Sequence, residues 1–203
     1  MYRFETNAYL RALCLLLTVA LSSLAQAEQG LITAARSDDE NLVAELLAAG
    51  ADPNTRQGDG STALHWAAHR NNGEAVQFLL GSGANPDASN ELGATPLWLA
   101  ASNGSAAMVE KLLTAGANPN ARLRMGETSL MSASRTGDLD TVSLLINAGA
   151  EIDAAEEERG QTALMWAVAQ SHRAVASMLL EHGADLNARS KGWYQLENTA
   201  GNT

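Results

Sequence analysis

Cysteine is nearly absent from this sequence: Cys14 is the single one in 203 residues. It falls in a leader of three parts. Arg3 and Arg11 are basic, residues 13–21 form an apolar core, and Ala25-Gln26-Ala27 is a small-residue cleavage site before Glu28. That arrangement predicts an export signal over residues 1–27. The apolar run is shorter than the roughly 20 residues that span a bilayer, so cleavage is expected rather than anchoring. No apolar stretch precedes Cys14, which argues against lipid attachment there. From residue 28 onward the chain has no cysteine, which excludes disulfides, a thiol nucleophile and a cysteine metal centre. A second long apolar run is also lacking. A soluble protein, periplasmic or secreted and off the membrane once cleaved, is expected.

Positive charge is scarce. There are 13 basic and 23 acidic side chains, a formal charge of −10. Loss of Arg3, Arg11 and Glu5 with the leader leaves 11 against 22, or −11. Such a balance disfavours nucleic acid and anionic membranes as partners. The sequence has no Gly-x-Ser-x-Gly elbow and no phosphate loop. Its histidines have no nucleophile beside them. A non-enzyme without cofactor is therefore expected.

What the sequence does have is a period of 33 or 34 residues. Thr62-Ala63-Leu64-His65-Trp66-Ala67-Ala68 aligns with Thr95-Pro96-Leu97-Trp98-Leu99-Ala100-Ala101, with Thr128 to Ser134 and with Thr162 to Val168. A second element, Gly-Ala followed by Asp, Asn or Glu, recurs at Gly50, Gly83, Gly116, Gly149 and Gly183. A fixed period of this length predicts stacked helical units, because one unit alone cannot bury its apolar face.

Within a unit, Thr62 is placed to cap a first helix, its hydroxyl accepting a backbone N–H. Leu64, Ala67 and Ala68 give that helix a small apolar face, and Asn71-Asn72-Gly73 ends it. Val76, Leu79 and Leu80 have the spacing of a second helix, closed by Gly83 in a left-handed cap. Residues 87–94 lack helical periodicity and read as a projecting turn or hairpin. The opening copy is degenerate, as a polar terminal cap would be. At the other end Trp193 and Tyr194 stand where another threonine-led helix is due. They cover the last unit, or the chain is truncated there. Residues 197–203 read as a disordered tail.

These threonine-led helix starts and Gly-Ala elements resemble the ankyrin-repeat family over residues 29 to about 190. The resemblance implies an all-α, right-handed ankyrin-repeat solenoid of helix-turn-helix units with projecting β-turns or hairpins. Its five repeats would run at about 29–61, 62–94, 95–127, 128–161 and 162–190, ahead of a tail at 191–203. His65 alone keeps the family's first-helix histidine, which usually bonds between repeats. Trp98, Met131 and Met165 stand at the matching places, where apolar packing is expected to substitute.

Other chemistry fits poorly. His65 and His69 are spaced i, i+4, yet no third metal ligand accompanies them. Asp52-Pro53-Asn54 with Asp59 lacks a calcium loop's remaining ligands, since Arg56 and Ala63 occupy their places. The repeated Asp and Asn residues more simply close turns. Trp66, Trp98 and Trp166 are expected to pack between units, with Trp66 and Trp166 able to show an edge to the surface. Asn103-Gly104-Ser105 matches a glycosylation acceptor but reads as an ordinary turn.

In the family, projecting turns and first-helix ends form a concave binding face. That implies a protein-binding site at Arg56, Asp59, Glu91, Leu92, Arg122, Arg124, Met125 and Glu157 on the turns. His69, Arg70, Asn103, Arg135 and Gln170 join it from the helix ends. Arg122, Arg124 and Arg135 read as a basic centre and Glu156 to Glu158 as an acidic neighbour. Leu92 and Met125 are candidate apolar anchors. The expectation is a monomeric, non-catalytic binding module or scaffold for a protein partner. An inhibitor or immunity protein against a toxin, or an effector acting on a host protein, are the alternatives, with a metal-dependent enzyme behind them.

Overall fold

The computed structural model describes residues 29–191. The expected export signal with Cys14, and Trp193, Tyr194 and the rest of the expected tail, lie outside the described residues. Within them ten helices form five successive pairs. They are α1 (29–36) with α2 (Glu40–Ala48), α3 (Ala63–Arg70) with α4 (Gly73–Gly81), and α5 (Pro96–Ser102) with α6 (Ala106–Thr114). Then follow α7 (Ser129–Thr136) with α8 (Leu139–Asn147), and α9 (Ala163–Ala169) with α10 (Arg173–Glu181). The first helices α3, α5, α7 and α9 pack in file, and so do the second helices α2, α4, α6, α8 and α10. This is an all-α repeat solenoid.

Helices this short are marginal alone, since isolated ones need about 12–15 residues. Packing supplies the difference. Leu64, Leu97, Leu130 and Leu164 are buried at one register of the first helices. Val76, Val109, Val142 and Val175 do the same in the second helices, followed three residues on by Leu79, Leu112 and Leu145 and, in the last, four residues on by Leu179. Each such side chain contributes about 1.5–3 kcal/mol on burial. Buried Ala67, Ala100, Ala133 and Ala167 keep neighbouring first helices close.

The two sequence signatures prove to be backbone requirements. Thr95, Thr128 and Thr162 each accept a hydrogen bond from the amide three residues on, at 3.2, 3.3 and 3.5 Å. Thr62 differs from the expectation: its hydroxyl sits 2.9 Å from His65 Nδ1, because the histidine ring reaches back over the cap. Every Gly of the Gly-Ala element has φ between +86° and +93°. At Gly83 the amides of Gly83 and Ala84 donate to the carbonyls of Leu80 and Leu79, both at 3.0 Å, which is the Schellman closure.

The Asp and Asn residues after Gly-Ala do more than close turns. Asn54 accepts from the Asn85 amide at 2.7 Å, Asp87 from Asn118 at 2.7 Å, Asn120 from Glu151 at 2.8 Å and Asp153 from Asp185 at 2.8 Å. Each side chain thus ties one unit to the next. A second seam joins the projecting turns, where the amides of Glu91, Arg124, Glu157 and Lys191 donate to the carbonyls of Asp59, Leu92, Met125 and Arg159. The turns are therefore held as one stacked edge beside the first helices.

Candidate functional site

The first helices and turns carry the side chains expected to bind, and the structure resolves what each one does. His65 is buried and fully engaged. The Thr62 amide donates to its Nδ1 at 3.1 Å, so Nδ1 is the acceptor and Nε2 carries the proton. Nε2 then donates to the Ala94 carbonyl in the following unit at 3.0 Å. Burial holds the imidazole pKa below its usual value, more strongly than the Ala94 bond raises it. With both nitrogens used, His65 has none to offer a metal beside His69. Among the described residues no group of three or more His, Cys, Asp or Glu is placed to hold a metal ion. Nor is any described helix long and apolar enough to cross a membrane.

Two tryptophans on this face share one arrangement. Trp66 and Trp166 both lie two residues beyond the buried leucine of their helix, and Arg36 and Arg135 both lie five beyond theirs in the preceding unit. The Arg36 guanidinium carbon is 5.7 Å from the Trp66 ring centre, and that of Arg135 is 5.1 Å from the Trp166 ring. Both distances are within the range of a cation–π contact. The corresponding intermediate positions hold Leu99 and Ser132, so the aromatic–arginine pairs stand at the two ends of the face. The tryptophans are half-buried: they pack between units and also show part of their surface.

Each tryptophan borders a cleft. Beside Trp66 is one of about 210 Å³, shared with Asp59, Ser61, Asn90 and Leu99. The indole donates to Gln57 Oε1 at 3.3 Å, and His69 meets it edge-on with ring centres 6.2 Å apart. Beside Trp166 is one of about 270 Å³, shared with Met125, Glu127, Glu158, Arg159 and Gln161. Glu127 is the unusual member. Burial pushes its carboxyl above the usual range, against the opposing pull of the nearby Arg135. Glu127 Oε1, Trp98 Nε1 and Trp166 Nε1 are all shielded and lack a hydrogen-bond partner among the described residues.

The expected acidic neighbour needs correction. Glu156 is only 7 % exposed, turned inward rather than outward. Its carboxylate accepts from the amides of Glu158 at 2.7 Å, Arg159 at 2.8 Å and Gln161 at 2.9 Å. Burial alone would raise its pKa, but these amides outweigh it and hold it below the usual carboxylate value. The longer fourth turn has orphan amides that this side chain satisfies. Glu157 and Glu158 remain exposed.

The other candidates divide by what already holds them. Arg56 donates to the Ser89 carbonyl at 2.8 Å and Arg70 to that of Arg36 at 2.9 Å, so each links two units. Asn103 Nδ2 donates to the His69 carbonyl at 2.9 Å, which engages the nitrogen a glycan would need. Asp59 accepts from the Ser61 amide at 2.8 Å, and that bond chiefly keeps its carboxyl below the usual value. The supposed basic centre is dispersed: Arg122 pairs with Glu151 at 2.7 Å, while Arg135 lies on Trp166. Arg124 has no ion pair among the described residues. It sits between two exposed turn tips, Leu92 at 66 % and Met125 at 54 %. His69, Glu91 and Gln170 are exposed as well.

Sequence reasoning missed Glu127, Arg36 and the pairing of Arg135 with Trp166. Glu127 had a readable signal, since it is an acid directly before a capping threonine where Ser61 and Ala94 stand in other units.

A family model for ankyrin repeats (three copies) matches the chain over residues 31–123 and again over 108–190. No curated protein matches the chain.

Proposed function

The chain belongs to the ankyrin-repeat family, whose repeats mediate protein–protein binding, and from that premise we propose a non-catalytic module that holds one partner protein against its first helices and projecting turns. The observation that carries this reading is the stacked turn edge. Leu92 and Met125 are exposed apolar tips on a backbone fixed by inter-turn hydrogen bonds, with Arg124 between them. Apolar anchors on a rigid support lose little entropy on binding and concentrate interface energy. Arg124 adds charge at the rim, where it acts mainly on the association rate. The leader at residues 1–27 supports export to the periplasm or beyond, and a monomer accords with a module that presents one face.

The test uses mature chain 28–203 to capture proteins from the periplasmic fraction and the medium. It runs beside Leu92→Ser/Met125→Ser and Arg124→Glu variants, and mass spectrometry identifies what is held. The expected result is a partner retained by the natural chain and lost by the double variant, with Arg124→Glu slowing association and flattening its salt dependence. Equal capture by all three would move the site off the turn edge. An exported product that begins before Glu28 would overturn the cleavage assignment.

A further inference from the structure

The cleft beside Trp166 has a chemistry that its counterpart beside Trp66 lacks. Both are smaller than the roughly 300–1,000 Å³ of sites for whole small molecules, and each has room for about one long side chain. Beside Trp66 the single lining acid is Asp59, with Arg36 over the indole and Arg56 near His65. The Trp166 cleft is lined by Glu127, Glu156 and Glu158 with Arg159, while Arg135 lies against the indole and Lys191 is near Glu156. Of those cations, Arg135 lies on the indole and Lys191 Nζ donates to the Glu157 carbonyl. Of the acids, Glu156 serves the turn amides, while Glu127 and Glu158 line the cleft, Glu127 half-buried beside Trp98 and Arg135. Trp166 and Met125 supply an apolar wall and rim.

We propose that the Trp166 cleft takes one basic side chain, lysine or arginine, from the partner protein. Its methylenes lie along the indole and Met125, and its cation meets Glu127 and Glu158. The arrangement suits such a side chain because its stem wants apolar contact and its head wants a carboxylate. It also gives Glu127 a second cation, where Arg135 alone does not offset the effect of burial. The inference rests on the protein-binding reading above and adds to it the identity of one recognised group.

The test follows the indole N–H signals of the full mature chain by NMR, assigned with Trp66→Phe, Trp98→Phe and Trp166→Phe. N-acetyl-arginine amide is titrated in, with the norleucine and glutamate amides as controls. The expected result is a saturable shift of the Trp166 signal with arginine, none with glutamate and a weaker one with norleucine. The Trp66 signal should stay fixed. The Glu127→Gln/Glu158→Gln variant should weaken the arginine response by about tenfold or more, the scale of one lost charge-assisted bond. An unchanged Trp66 signal and an unchanged far-UV circular dichroism spectrum would show that this variant is folded. Equal shifts with norleucine or glutamate, an equal response at Trp66, a response that survives the double variant, or no saturable shift would each overturn the proposal. Loss of the arginine response with turn-edge capture intact sinks the cleft alone. An arginine response without any captured protein sinks the wider binding reading instead.

Discussion

His65 Nε2 donates to the Ala94 carbonyl at 3.0 Å across a separation of 29 residues, so a side chain in one unit fixes the turn of the next. Its Nδ1 simultaneously accepts from Thr62. His65→Ala removes both bonds and leaves a buried amide and carbonyl unpaired, at a cost of about 2–3 kcal/mol. Urea unfolding followed by circular dichroism checks this. The same ring gives a pH dependence. Its folded pKa lies below the ordinary imidazole value of 6.5, so the unfolded chain takes up a proton before the folded one does. The stabilisation is complete above about pH 6.5 and is lost as pH falls from there through the folded pKa. His65→Ala should flatten this part of the stability profile.

Glu156 stabilises by the opposite chemistry, as a charged acceptor. Three amides of the fourth turn converge on its carboxylate. Glu156→Gln keeps the size but replaces one oxygen with a donor, and should cost about 1–3 kcal/mol at neutral pH. Because the folded pKa is depressed, this stabilisation is present above the unfolded carboxyl's pKa. It is lost as pH falls through the folded one. The difference in urea midpoint between the natural chain and the variant should therefore shrink in acid. A difference independent of pH would mean that the packing of the side chain matters and its charge does not.

The fold was readable because its signals are local. A capping threonine and a glycine at positive φ are demanded by the backbone of each unit, and repetition multiplied them until chance could not account for the pattern. The binding face was less readable, because it depends on what crosses between units. Arg122 and Arg135 look alike in the sequence, yet one meets Glu151 and the other Trp166. Glu156, Glu157 and Glu158 look like one charged run, but only the turn's geometry reveals that the first faces inward. The Arg36–Trp66 and Arg135–Trp166 pairs occupy repeated registers. Their meaning appears only when position five of one helix is laid beside position two of the next.

Glu127 should be a liability to stability at neutral pH. Burial raises its pKa, so above that value the folded state carries a charge that the unfolded state solvates better. Glu127→Gln removes the charge and keeps the shape, so the variant should melt higher than the natural chain at pH 7. The advantage should fade as the solution is acidified and the natural carboxyl becomes neutral. Thermal melts at pH 7 and near pH 4 make the comparison. A variant less stable at pH 7 would mean that attraction to Arg135 outweighs burial. A residue that weakens the fold while facing a cleft is what a binding role predicts.

Two glycines separate backbone strain from crowding. Gly183 has φ +93°, and a Cβ there would meet nothing within 4 Å. Gly137 has φ +82°, and a Cβ there would stand 2.5 Å from the ring of His172. That ring is not free to leave, since its Nε2 is 3.0 Å from the Arg135 carbonyl at the end of α7. Gly183→Ala should therefore cost only the left-handed penalty, about 1 kcal/mol. Gly137→Ala should cost that and either a clash or the broken His172 bond, about 2–4 kcal/mol together. Adding His172→Ala to Gly137→Ala tests the cause. The double variant should lose less than the two single losses combined, because removing the ring opens the space the new methyl needs. Strict additivity in urea unfolding would show that the ring and the methyl never compete, and would leave conformational strain as the whole cost at Gly137.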